Sequence, residues 1–158
     1  MATHNNTITG GGTVGHMADG AKAYVRTSKV WDTADGGTGG DVVQMMDIPA
    51  DTMIIGGCLE VLEARGNGQI TMDIGFTGGD VDTFVDGSAL AAGFTPFLNA
   101  AVGASGSNPK MLTSADTIDC LILDGGSSGE SALRFRIHVV MCDVSKNPVE
   151  AATVSTGT

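Results

Sequence analysis

Three aspartates fall close together in Gly79-Asp80-Val81-Asp82-Thr83-Phe84-Val85-Asp86-Gly87, and alternating oxygen ligands are what a calcium loop uses. Counted from Asp80, the helix–loop–helix pattern also wants Gly at the sixth place and Glu at the twelfth. This chain has Val85 and Ala91 there, so that form is excluded and a solvated acidic turn is expected, with a surface cation as the alternative. Asp80 and Asp82 would need a cleft to work as a general acid/base pair, and no pattern in the sequence supplies one. The histidines are His4, His16 and His138. Cys142 shares a strand face with His138, but residues i and i+4 on a strand lie about 13 Å apart, too far to hold one metal ion. Gly125-Gly126-Ser127-Ser128-Gly129 spells the G-x-S-x-G of a hydrolase elbow, which requires a strand, a tight turn and then a helix. Here a strand-like run follows, and no histidine lies in a loop downstream. A glycine-rich hairpin loop is expected instead. Gly10-Gly11-Gly12-Thr13-Val14-Gly15 matches G-x-G-x-x-G, yet only polar residues precede it and no helix follows, so a dinucleotide site is not expected. Asn5-Asn6-Thr7 matches a glycosylation acceptor, which matters only in a secreted chain. No catalytic residues, no cofactor and no metal site are expected.

The cysteines, Cys58, Cys120 and Cys142, are odd in number, widely spaced and each in an apolar run. They read as reduced core residues of a chain made in a cytoplasm. The N-terminus lacks the basic and apolar regions of a signal peptide. No stretch approaches the roughly 20 uninterrupted apolar residues of a membrane span, so no membrane partner is expected.

The elements that would position these residues follow from composition and periodicity. The chain has 158 residues, with 24 Gly, 18 acids against 8 Lys and Arg, a net charge of -10 and a pI near 4.3. At 42% hydrophobic and a mean hydropathy of +0.16 it can bury a core. Glu and Lys, the usual coat of exposed helices, total only 8 residues. Helical bundles fit this composition poorly, and nucleic-acid binding lacks its basic footprint. Residues 1–20 are polar and Gly-rich and read as an N-terminal arm, and 145–158 as a C-terminal tail. Between them, 21–144 reads as one domain of six or seven strands. These are Ala21–Trp31, Asp41–Ile48, Thr52–Ala64 with Gly56-Gly57 inside it, Gln69–Phe76, Asp116–Leu123 and Ser131–Val144, with a short strand at Lys110–Leu112. Paired mid-strand glycines predict a bend, a bulge or close approach of another backbone. Asn67-Gly68 predicts a hairpin joining Thr52–Ala64 to Gln69–Phe76. In the latter, Ile70, Met72, Ile74 and Phe76 face one way and Thr71, Asp73 and Gly75 the other, as in a half-buried strand. Leu133, Phe135, Ile137, Val139 and Met141 form a second apolar stripe, opposite Arg134, Arg136 and His138. Short helical turns are expected around Ser88–Ala92. The expected fold is all-β, an antiparallel β-sandwich with jelly-roll-like packing and extended arms. Tyr24, Trp31 and the stretch Phe94-Thr95-Pro96-Phe97-Leu98 are candidates for a subunit interface, with core or a covered loop as the alternative.

The phrase Ile48-Pro49-Ala50-Asp51-Thr52-Met53-Ile54-Ile55-Gly56-Gly57, leading into Ile70-Thr71-Met72-Asp73-Ile74-Gly75, resembles small structural proteins of tailed bacteriophages. So do Asp82-Thr83-Phe84-Val85-Asp86-Gly87 and Thr113-Ser114-Ala115-Asp116-Thr117-Ile118-Asp119. The resemblance, spanning roughly Asp41 to Asp143, is to capsid cement or decoration proteins. It implies a sandwich assembled as a trimer on the capsid, with the major capsid protein as partner and no catalytic site. The acidic balance suits the outer surface of a virion. Two other structural readings are a tail or fibre module that binds a receptor or carbohydrate, and a tail-tube or head-completion protein. An aromatic content of 4% argues against the carbohydrate reading.

Overall fold

Apolar residues at every second position bury one face of a strand, and two such faces closed on each other make the core here. The computed structural model describes residues 3–5, 23–32, 39–64, 71–77, 80–89, 92–97, 109–124 and 133–144. The elements are β1 (Thr3–Asn5), β2 (Ala23–Thr27), β3 (Trp31–Asp32), β4 (Val42–Ile48), β5 (Thr52–Glu63), β6 (Thr71–Phe76), β7 (Val85–Ala89), β8 (Gly93–Pro96), β9 (Lys110–Leu112), β10 (Asp116–Asp124) and β11 (Arg134–Asp143). Every described element is a strand.

Sheet I has the order β1-β4-β10-β6-β7, and sheet II the order β2-β11-β5-β8, with β3 beside β11 and β9 beside β5. All pairings are antiparallel except that β1 runs parallel to β4, Thr3 opposite Val42. The protein is a two-sheet β-sandwich. Its core takes Phe135, Ile137, Val139 and Met141 from β11, and Met72 and Ile74 from β6. Ile118, Cys120 and Ile122 come from β10, all at most 1% exposed. Each large side chain so buried contributes about 1.5–3 kcal/mol.

Several sequence expectations change. Thr52–Glu63 and Thr71–Phe76 do not pair with each other: β5 lies in sheet II and β6 in sheet I. The Asn67-Gly68 segment, itself outside the described residues, therefore joins two sheets and not two strands of a hairpin. β10 and β11 are likewise in opposite sheets, so 125–133 is not a hairpin loop either. Ser88 and Ala89 belong to β7, not to a helical turn. The first expected strand divides into β2 and β3, because Ser28 leaves the ladder: its Oγ accepts from Ile137 N at 3.0 Å while its own N bonds Ile137 O at 2.9 Å. The second face of β6 is not open, since Asp73 and Gly75 are buried. Of the expected N-terminal arm at 1–20, Thr3–Asn5 form β1 at the edge of sheet I; its other residues, the tail at 145–158 and the two glycine-rich motifs lie outside the described residues.

The glycine pair in β5 does two jobs. Opposite β11 the register slips between Val140 and Met141, which leaves Ile55 as the extra residue of a bulge beside Gly56. A Cβ on Gly57 would lie 2.6 Å from Phe97 Cδ2 and would also strike His138 O. Gly57 thus admits the Phe97 ring, which stacks on Phe84 with centroids 5.2 Å apart.

Candidate functional site

The outward side chains of sheet II make the candidate surface. Where the inward residues of β11 alternate with Arg136, His138 and Val140, the neighbours in register are Glu60, Cys58 and Gly56 on β5 and Thr27 and Val25 on β2. Across the middle runs a polar line. Arg136 Nε donates to Glu60 Oε2 at 2.5 Å, His138 Nε2 lies 2.7 Å from the same oxygen, and His138 Nδ1 lies 2.9 Å from Thr27 Oγ1. With Nε2–H donating to Glu60, Nδ1 accepts the Thr27 hydroxyl in the neutral ring and donates to it in the charged one. The hydrogen bonds from Arg136, then from His138, hold the Glu60 carboxyl below its ordinary value.

A Cys–His pair with a carboxylate behind it is the constellation of a thiol nucleophile, and Cys58 stands opposite His138 here. The geometry does not activate it. Both ring nitrogens of His138 are engaged elsewhere, and burial, then the Glu60 charge, push the Cys58 thiol up, away from the thiolate that reacts. All three cysteines are free. Cys120 is fully in the core as expected, whereas Cys58 is only half-buried, on the outer face.

Around the polar line the face is apolar. Val25 is 54% exposed, Phe94 68% and Met111 51%. Phe94 leans toward His138, ring centroids 6.4 Å apart. Ile55 and Leu62, each the unpaired residue of a β5 bulge, are also exposed. Five of the seven exposed large hydrophobics among the described residues therefore sit on sheet II, Val81 and Leu123 being the others.

Sheet I is different. Its strands carry Asp47, Asp73, Asp86, Asp116, Asp119 and Asp124 and no Lys or Arg, while those of sheet II carry Arg26, Lys110, Arg134 and Arg136 against Asp32, Glu60, Glu63 and Asp143. The turn after Asp80 folds back over β6: Phe76 N bonds Asp80 O at 3.2 Å, and Gly87 N bonds Asp73 Oδ1 at 2.7 Å. Burial raises the carboxyls of Asp73 and Asp119 above the ordinary range. The Thr77 hydroxyl donates to Asp119 Oδ2, while Oδ1 has no hydrogen-bond partner among the described residues. Asp82 is raised too, first by its hydrogen bond with Asp80. Among the described residues no group of three His, Cys, Asp or Glu side chains is arranged to hold a metal.

No family model and no curated protein sequence matches the chain. Solved structures do. The same fold occurs in bacteriophage capsids. A chain of the cyanophage Pam1 capsid asymmetric unit superposes with a TM-score of 0.61 at 16% identity, over 85% of this chain and 93% of its own. A chain of the Ralstonia phage GP4 capsid gives 0.54 at 15% identity, over 85% and 91%. One from the acidic stable capsid of Helicobacter pylori bacteriophage KHP30 gives 0.54 at 12%, over 76% and 86%.

The residues singled out from sequence as interface candidates divide. Trp31 and Phe97, 6% and 5% exposed, belong to the core of the single chain. Tyr24 is half-buried against that core, its phenol raised by burial, and Phe94 is on the open face. Leu98 lies outside the described residues. Val25, Ile55 and Met111 were not singled out. The alternation of Ala23-Tyr24-Val25-Arg26-Thr27 carried the signal for Val25, but no sequence pattern marks a bulge residue such as Ile55.

Proposed function

We propose that the chain is a non-enzymatic structural protein of a bacteriophage virion, a cement or decoration protein that binds the shell of major capsid protein from outside and stabilises it, as a trimer. One observation carries this: the likeness to three capsid chains extends over 76–85% of this chain and 86–93% of theirs, so it embraces a whole domain. The charge supports an outward position. Six aspartates without a base on sheet I, in a chain of net charge -10, would be repelled by packaged DNA. The polar groups at the centre of sheet II satisfy one another and leave no activated nucleophile.

Cryo-electron microscopy of the native particle, with copies counted, tests the role. Density for this sandwich at hundreds of sites over the shell is expected. A handful of copies confined to the tail would favour a receptor-binding module and overturn the cement reading.

A further inference from the structure

We infer that the outer face of sheet II is where one copy of this chain meets another. The inference deepens the proposed virion role and rests on it for the oligomer's purpose.

Charge distribution selects the occupant. Two copies at net charge -10 repel, and the acid-only strands of sheet I are the worst surfaces to bring together. The strands of sheet II carry as many bases as acids. On the outer face both bases are already paired, Arg136 with Glu60 at 2.5 Å and Arg134 with Asp32 at 3.7 Å, and Glu63 stands opposite Arg134 at the end of β5. Its two bases therefore enter a contact already compensated.

Its apolar residues lie on both sides of the polar line, Phe94 beside Glu60 on one flank and Val25 beyond Val140 on the other. Such a face, apolar with an aromatic anchor and a satisfied polar centre, has the make-up of an interface core. Size agrees. At about 3.3 Å per residue along β5 and about 4.8 Å between strands, the face covers roughly 600–700 Å². A standard interface buries about 800 Å² on each partner.

The test is the solution mass of the full chain by sedimentation equilibrium and light scattering, beside Val25→Asp, Phe94→Asp and the double variant, with Leu123→Asp on sheet I as control. The wild type and the control are expected to be oligomers. Each single variant should associate roughly tenfold or more weakly, and the double variant should run as a monomer with an unchanged circular dichroism spectrum. Phe94→Ser, which adds no charge, should weaken association in the same direction and serves if an aspartate variant does not fold. A monomeric wild type at about 100 µM, where a standard interface would be occupied, overturns the inference. So does an oligomer whose mass the sheet II variants leave intact. Shell binding is read separately by co-sedimentation with capsids. A monomer that still coats capsids would refute the interface and leave the role standing, and an oligomer that ignores them would do the reverse.

Discussion

At the scale of residues, two glycines on successive strands of opposite sheets show how differently the same residue is used. Gly75 on β6 is buried because the chain at Asp80 and Val81 passes directly over it. A Cβ there would overlap Asp80 O and the backbone of Val81, and backbone, unlike the end of a long side chain, cannot swing aside. Gly75→Ala is therefore expected to cost on the order of 1–3 kcal/mol, read as a shift in urea midpoint, and to loosen the turn that carries Asp73's hydrogen bond from Gly87. Gly56 on β5 has no atom within 4 Å of where its Cβ would be. Gly56→Ala should change stability by no more than about 0.5 kcal/mol. Equal losses at both sites would show that the turn does not press on β6 as described.

At the scale of elements, the sequence revealed which residues face inward but not which strand each element pairs with. The stripe of Phe135, Ile137, Val139 and Met141 is fully buried as its spacing predicts, because alternation follows directly from the pleat. Partners are another matter. Asn67-Gly68 between two apolar runs is a hairpin signal, yet β5 and β6 enter opposite sheets. Among the described strands only β6 and β7 are both consecutive and paired. A turn motif fixes local geometry. The choice of partner was decided by distant residues such as Phe97, whose pocket is Gly57, forty positions earlier. The buried faces of Asp73 and Gly75 were missed for the same reason: what covers them is a later turn. Phe97 joins the layers, its N bonding Gly57 O at 2.9 Å in sheet II while its ring stacks on Phe84, the residue just before β7. Phe97→Ala should cost about 3–5 kcal/mol. Amide exchange should quicken first in β7 and β8, and uniform loss of protection over β11 and β5 alike would contradict that local role.

At the scale of the whole molecule, the titration behaviour of the acids predicts stability that grows on mild acidification. Asp73, Asp82 and Asp119 have folded values raised above the ordinary 3.8. For an acid raised in this way the ionised form costs stability at neutral pH. As pH falls through the raised values, the native state takes up protons before the unfolded chain does, so stability rises until the ordinary value is reached. Glu60 runs the other way. Its value is lowered from 4.5, so the stability it contributes is present above 4.5 and lost as pH falls below it. Relief of the self-repulsion of a chain of net charge -10 adds to the rise. The melting temperature should therefore climb on acidification from pH 7 and turn over where the loss from Glu60, setting in at 4.5, overtakes the gain from the aspartates, which ends at 3.8. Asp119→Asn keeps an acceptor for the Thr77 hydroxyl but cannot ionise, so it should raise the melting temperature at pH 7 and flatten the climb. Glu60→Gln should leave the climb and soften the acid-side fall. A wild-type melting temperature that drops steadily between pH 7 and pH 5 would mean that the carboxyls of Asp73 and Asp119 are solvated in solution and not buried as described.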